Sequence, residues 1–220
     1  MAHWTQIAGA LKEISAGSVA NVWGVNAANN IFRYTGNDNS PWIEIPGALI
    51  DVTAAADGTV WGVNAANNIF RYNNGGWTQI GGALKEISAG SVTNVWGVNA
   101  ANNIFRYTGN DNSPWIEIPG ALIDVAAAAD GTVWGVNAAN NIFRYHNGGW
   151  TQIGGALKEI SAGSVTNVWG VNAANNIFRY TGDDNNPWIE IPGALIDVTA
   201  AADGTVWGVN AAGNIFRYSS

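Results

Sequence analysis

Apolar residues fall along this chain in short runs rich in Val, Ile, Trp, Phe and Tyr, such as LKEIS, NVWGV, NIFRY and PWIEI, separated by clusters of Gly, Ala, Asn and Asp. Runs of that length and composition, bounded by turn residues, predict β-strands. None reaches helical length or shows a 3.6-residue period, and the alanine-rich stretch from Val52 to Ala56 is too short to nucleate a helix. Four runs make a unit, and the unit recurs. VWGVNAANNIFRY begins at Val22, Val60, Val95, Val133 and Val168, with VWGVNAAGNIFRY at Val206. Trp4, Trp42, Trp77, Trp115, Trp150 and Trp188 are spaced alternately by 38 and 35 residues, so the full period is 73 and holds two related units. A repeat this small cannot bury its own apolar surface and must stack on its neighbours.

Six four-stranded units predict an all-β fold, a six-bladed β-propeller of antiparallel blades in one domain spanning 1–220. The expected blades are approximately 10–46, 48–81, 83–119, 121–154, 156–192, and 194–218 completed by 4–8. The chain opens with a lone WTQI and stops after NIFRY, without the WxxI run that follows NIFRY elsewhere. Trp4 to Ile7 is therefore expected to pair beside Asn214 to Tyr218, closing the ring and covering an edge that would otherwise invite aggregation.

The turn chemistry agrees. Asn29 of NAANN is replaced by Gly213 in the last copy, and Asn and Gly share tolerance of the left-handed conformation. Asp57-Gly58, Asp130-Gly131 and Asp203-Gly204 are hairpin signals. A three-residue loop at Ala27 to Asn29 pairs Asn26 with Asn30, Val25 with Ile31, Gly24 with Phe32 and Trp23 with Arg33. Trp23, Val25, Ile31 and Arg33 then share one face, and Gly24, Asn26, Asn30, Phe32 and Tyr34 the other. Phe32 is expected to lie across Gly24.

On the first face a guanidinium sits opposite an indole, suited to a cation–π contact worth about 0.5–2 kcal/mol. Arg33, Arg71, Arg106, Arg144, Arg179 and Arg217 are the only arginines, one per unit. Two roles stay open for them. One is a cross-strand ion pair with Glu44, Glu117 and Glu190, although the alternate units carry Gln6, Gln79 and Gln152 there. The other is ligand contact, because a pyranose stacks its CH face on an aromatic ring and offers hydroxyls to Arg and Asn.

Composition narrows the classes. Net charge is −7, the wrong sign for phosphate backbones or anionic lipid, so neither nucleic acid nor membrane insertion is expected. There is no cysteine, which removes disulfides, thiolate metal sites and a Cys nucleophile. The first residues carry no basic segment followed by an apolar run, and a cytoplasmic chain is expected. Glu13, Asp51, Glu86, Asp124, Glu159 and Asp197 put one acid on each innermost strand, where hydrogen bonding to neighbouring backbone is expected rather than a metal. The two histidines, His3 and His146, do not recur with carboxylates, and Lys12, Lys85 and Lys158 occur only in alternate units, so no enzyme, cofactor or metal site is predicted.

The connections sort by rim. NAANN hairpins and IPGAL-type links are nearly identical in all six units, whereas GSVAN alternates with AADGT, and TGNDNSP with NNGG. One rim thus has sixfold character and the other threefold. Repeated weak sugar sites gain roughly 10²–10⁴ in avidity on a dense glycan surface, an advantage an enzyme would not share.

The unit of GxL, a DG hairpin, VWGVN, a short turn, IFRY and a following Trp resembles the tectonin repeat over essentially the whole chain, and is most similar to the fungal tectonin lectins. The resemblance implies a six-bladed multivalent lectin of innate defence that recognises O-methylated sugars, of mannose or fucose type, on bacterial or nematode glycans, and makes a homo-oligomer, up to a tetramer, plausible. Gly24, Val25, Ala27 and Ala28 would shape a small pocket for a methyl ether. Carried over by motif, the ligand residues are Trp23, Gly24, Asn26, Arg33 and Tyr34, with Trp61, Gly62, Asn64, Arg71 and Tyr72 in the second unit and Trp96, Gly97, Asn99, Arg106 and Tyr107 in the third. The fourth supplies Trp134, Gly135, Asn137, Arg144 and Tyr145, the fifth Trp169, Gly170, Asn172, Arg179 and Tyr180, and the sixth Trp207, Gly208, Asn210, Arg217 and Tyr218. Odd units lack the DG turn, so any role of Asp57, Asp130 and Asp203 would hold in three sites. The alternatives are a non-catalytic protein-interaction scaffold and an engineered symmetric propeller.

Overall fold

A computed structural model describes residues 3–219. Their twenty-four strands form six antiparallel four-stranded sheets arranged as the blades of a propeller. Blade I contains β2 (Glu13–Ser18), β3 (Asn21–Val25), β4 (Asn30–Tyr34) and β5 (Trp42–Ala48), innermost to outermost, and blade II contains β6 (Asp51–Ala54), β7 (Val60–Val63), β8 (Ile69–Asn73) and β9 (Gly76–Ile80). Blades III to V repeat this order. Blade VI joins the two ends of the chain. β22 (Asp197–Ala200), β23 (Val206–Val209) and β24 (Ile215–Ser219) are completed by β1 (His3–Ile7), with Trp4 opposite Tyr218 and Ile7 opposite Ile215. No helix among the described residues is long and apolar enough to cross a membrane.

The NAANN loops hold the expected conformation. Asn29 has φ 68° and Gly213 φ 81°, so the one natural replacement is the residue that meets no steric penalty there. The loop is closed by the side-chain oxygen of Asn26, which accepts the N–H groups of Ala28 and Asn30 at 3.0 and 2.9 Å.

Both faces of every blade are buried, because each packs on a neighbour. Trp23, Val25 and Ile31 of blade I lie against Val52, Ala54 and Val60 of blade II, flanked by Phe70, Tyr72 and Trp77. Each interface also holds an aromatic triad such as Trp23, Tyr72 and Trp77, with ring centroids 5.0–6.2 Å apart. The six triads use all twelve Trp and all six Tyr of the chain. Aromatic pairs in this geometry contribute about 0.5–1.5 kcal/mol beyond their burial. Polar clamps repeat with them. The Leu49 N–H donates to the Asn29 carbonyl at 3.0 Å, and the outer-strand Trp77 indole donates to the Pro46 carbonyl of the preceding blade at 3.1 Å.

One clamp is broken. The hydroxyls of Ser15, Thr53, Ser88, Ser161 and Thr199 each accept a backbone N–H from the next blade, at 2.9–3.0 Å. Ala126 stands at the Thr53 position and leaves the Ala162 N–H without that acceptor. Ala126→Thr is therefore expected to stabilise the chain by about 1 kcal/mol, raising Tm by about 2–4 °C in calorimetry. An unchanged or lower Tm would show that the missing hydroxyl costs nothing.

Candidate functional site

The strand register places Trp23 opposite Arg33, Gly24 opposite Phe32 and Val25 opposite Ile31. The motif residues nonetheless do not converge on one point. Leu11, not Phe32, covers Gly24: a Cβ there would sit 2.5 Å from a Leu11 methyl and 2.8 Å from the Glu13 carbonyl oxygen. Phe32 packs at the margin of the same layer. Gly62, Gly97, Gly135, Gly170 and Gly208 lie under leucines in the same way. Asn26 and its equivalents Asn64, Asn99, Asn137, Asn172 and Asn210 close their own loops on the sixfold rim, at the far end of the strands from the arginines. Of the small pocket expected from Gly24, Val25, Ala27 and Ala28, Gly24 and Val25 are buried between blades and take no part, while Ala27 and Ala28 line, with Asn26, Leu11, Asn210 and Ala211, a cavity of about 410 Å³ on the sixfold rim.

Trp, Arg and Tyr do meet, across the blade boundary. The Arg71 guanidinium lies 5.2 Å from the centre of the Trp61 ring in its own blade and donates to the Tyr107 hydroxyl of blade III at 3.1 Å. It also forms a two-pronged pair with Asp111, at 3.0 and 2.7 Å, and Tyr107 donates to the same carboxylate. Arg144 holds Tyr180 and Asp184 identically, and Arg217 holds Tyr34 and Asp38. The arginine partners are thus these loop aspartates. Glu44 lies opposite Phe32, on the other face from Arg33, so the cross-strand ion pair considered for Glu44, Glu117 and Glu190 is not formed. Hydrogen bonds from the arginines hold Asp38, Asp111 and Asp184 below the usual carboxylate range. Burial, reinforced by the bond to aspartate, pushes the Tyr34, Tyr107 and Tyr180 hydroxyls up. With the aspartates about half exposed, each pair contributes at most about 1 kcal/mol, and its larger effect is to fix the guanidinium in place.

This arrangement exists at alternate interfaces, those following blades II, IV and VI. Arg33, Arg106 and Arg179 are exposed, and the blades that follow Arg33 and Arg106 carry the short NNGG and HNGG turns in place of the long aspartate-bearing loop. Beside Arg71 and Arg144 the threefold rim opens into a groove. One, of about 420 Å³, is lined by Asp57, Gly58, Thr59, Arg71, Tyr72, Asn73 and Val92. Its counterpart, of about 590 Å³, is lined by Asp130, Thr132, Arg144, Tyr145, His146 and Val165 among others. Asp57 does more than make a hairpin: it accepts the Thr59 N–H at 3.0 Å and the Val92 N–H of the next blade at 2.6 Å. Burial pushes Asp57, Asp130 and Asp203 up, but these backbone donors outweigh it and hold them low. Val92 and Val165, 54% and 52% exposed, leave an apolar surface at the edges of these grooves, and Val19 at the equivalent position is 58% exposed.

The axis is a channel of about 340 Å³, lined by the six innermost acids together with Lys12 and Lys158, and narrowing to a ring of Ala and Gly at the threefold rim. The acids clamp neighbouring blades, as expected. Asp51 accepts the Ile87 N–H at 2.7 Å and Glu13 the Val52 N–H at 3.3 Å. Burial first, and then mutual repulsion, pushes Asp51 up to about 7 and Glu13, Glu86 and Glu159 well above the usual range. Among the described residues no group of three or more His, Cys, Asp or Glu is arranged to hold a metal ion.

A closed ring of duplicated blades, with grooves recurring along their boundaries, defines a six-bladed repeat propeller. The model of the Tectonin domain matches residues 1–41, 10–114 and 102–220, and the chain belongs to the tectonin family. No curated protein matches it. Among solved structures it is similar to a gluconolactonase from Xanthomonas campestris (10% identity, 99% of this chain and 89% of that one, TM-score 0.74). A streptogramin B lyase (21%, 92% and 76%, TM-score 0.64) and YCF48 from Cyanidioschyzon merolae (15%, 98% and 84%, TM-score 0.61) are also similar. At these identities the likeness is one of fold alone.

Proposed function

We propose that the protein is a multivalent, non-catalytic lectin that binds neutral glycans in the grooves between blades, with O-methylated sugars as the preferred class. The observation that carries this reading is the groove beside Arg71. A guanidinium held between an indole face and the Asp111 carboxylate borders Asp57, Tyr72 and an exposed Val92. Hydroxyls of a sugar find donors and acceptors there, and a methyl ether finds Val92. Asp57 disfavours an anionic sugar. Repetition around the ring gives weak sites, each of millimolar order, the combined strength a dense surface requires.

Arg33→Ala alone is expected to leave binding to a dense array of methylated glycans nearly unchanged. Replacing all six arginines by Ala should weaken it by at least about 10²-fold, with the β circular dichroism retained. Undiminished binding by the folded sixfold variant would remove the arginines from the site. In defence against bacteria or nematodes such a protein would coat methylated surface glycans, and assembly into homo-oligomers would multiply its valency further.

A further inference from the structure

The outer hairpins of blades II and IV each turn on two residues. Asn73 pairs with Gly76 across Asn74 and Gly75, and His146 with Gly149 across Asn147 and Gly148. Both positions of each turn have positive φ, 51° and 82° in the first and 51° and 81° in the second, the mirror-image turn that Asn followed by Gly favours. All four residues are exposed. The side chain of Asn74 and the N–H of Gly75 have no hydrogen-bond partner among the described residues, and the same holds for Asn147 and Gly148. A Cβ placed on Gly75 or Gly148 would meet nothing within 4 Å, so the approach to that nitrogen is open.

An asparagine amide beside an unhindered main-chain nitrogen sets an electrophile next to a nucleophile, which is why asparagine is among the thermolabile residues. Hydrogen bonds that hold either group oppose the reaction, and elsewhere in the chain they are present. Asp57 precedes Gly58, but its carboxylate accepts the Thr59 and Val92 N–H groups while the Gly58 N–H donates to the Ala55 carbonyl at 3.2 Å. Asp130 with Gly131, and Asp203 with Gly204, are held in the same way. In the NAANN loop the N–H that follows Asn29 donates to the Asn26 side chain at 2.9 Å, and in the long loop the N–H that follows Asn39 donates to the Asn37 carbonyl at 3.1 Å. Even Asn73, one residue before the turn, donates to the Tyr72 carbonyl at 3.0 Å and accepts from Arg71 Nε at 3.1 Å.

We propose that Asn74 and Asn147 are self-modifying sites, which convert to aspartate and isoaspartate while the other asparagines persist. When the last rung of the hairpin opens, the Gly75 nitrogen gives up its proton and attacks Asn74 Cγ. The new N–Cγ bond forms, the Cγ–Nδ2 bond breaks, and the proton returns on the departing amide, which leaves as ammonia. Water then opens the five-membered imide. Cleavage at Cγ gives aspartate; cleavage at the main-chain carbonyl gives isoaspartate, whose extra main-chain methylene does not fit a two-residue turn. Each event adds one negative charge, taking the net charge from −7 to −8 and then to −9. The charge enters next to Asn73 and His146, which line the two grooves, in the connection that in blades I, III and V carries Asp38, Asp111 or Asp184.

The test incubates the full chain at mildly alkaline pH and follows it by anion exchange, by released ammonia and by peptide mapping that separates isoaspartate from aspartate. Two successively more acidic species should appear, mapped to Asn74 and Asn147. Since hydrogen bonds must break before Asp57 or a NAANN asparagine can react, these two sites should lead every other by about tenfold or more. The variant with Asn74→Gln and Asn147→Gln, which could react only through a larger ring, should keep its charge over the same period. Conversion led by a NAANN asparagine or by Asp57, acidic species that persist in the double Gln variant, or unmodified Asn74 and Asn147 after a free YNNGGWT peptide has converted would each overturn the proposal.

Discussion

A chain beginning at Ala8, without β1, should lose its cooperative unfolding transition and aggregate at temperatures where the intact chain is monodisperse. β1 contributes five paired residues to the outer edge of blade VI. Ile7 is 2% exposed, and Trp4 packs 4.9 Å from Tyr218 and 6.2 Å from Trp169 while its indole donates to the Pro192 carbonyl at 3.1 Å. Removing one buried Ile and one Trp costs about 5 kcal/mol or more, comparable with the whole stability of an ordinary domain. The truncation also bares β24, whose unpaired backbone would template association with other chains. Calorimetry and light scattering check both effects. A monodisperse truncated chain melting within a few degrees of the intact one would show that closure by β1 contributes little.

The second large effect concerns pH, and its direction is opposite to that of a protein held together by ionised carboxylates. Burial among the other ring acids raises Glu13, Glu86, Glu159 and Asp197, with Asp51 at about 7 and Asp124 at about 6. These groups keep protons in the folded chain that the unfolded chain releases near pH 4. Their contribution is complete below that range and is lost as pH rises through the folded values. Asp38, Asp111 and Asp184, with Asp57, Asp130 and Asp203, are lowered instead, and their contribution is lost only on further acidification. Stability should therefore peak near pH 4–5. At about 1.4 kcal/mol for each pKa unit, a loss of roughly 3 kcal/mol or more is expected between pH 5 and 8, lowering Tm by about 6–12 °C. Asp51→Asn should flatten that slope. A Tm constant or rising over the same range would mean that the ring is ionised when folded.

The fold could be read from the sequence because its determinants are local. Alternation of strand and turn residues specifies the blades, the 73-residue period specifies their number, and the NAANN loop sets a register in which Trp23 faces Arg33. The interchange of Asn29 and Gly213 marks a left-handed position, and both residues have positive φ. The site was less legible because it lies between blades. Arg217 meets Asp38, about 180 positions away along the chain, through a loop whose path is not written in strand periodicity. The usable signal was that Asp38, Asp111 and Asp184 persist in all three long loops while flanking positions change between Asn, Asp and Ser. Likewise Leu11 over Gly24 comes from the link before the blade's first strand, not from the hairpin containing Gly24. Three of the tyrosines carried over within a motif, Tyr34, Tyr107 and Tyr180, in fact serve the arginine of the preceding blade.

Carbohydrate is expected to enter the grooves of the threefold rim. A crystal structure of the chain soaked with a 2-O-methylated mannoside tests it most directly. Saccharide should be found beside Arg71, Arg144 and Arg217, with its methyl group toward Val92, Val165 and Val19. Saccharide confined to the acidic channel on the axis, or to the sixfold rim near Asn26, would contradict the account.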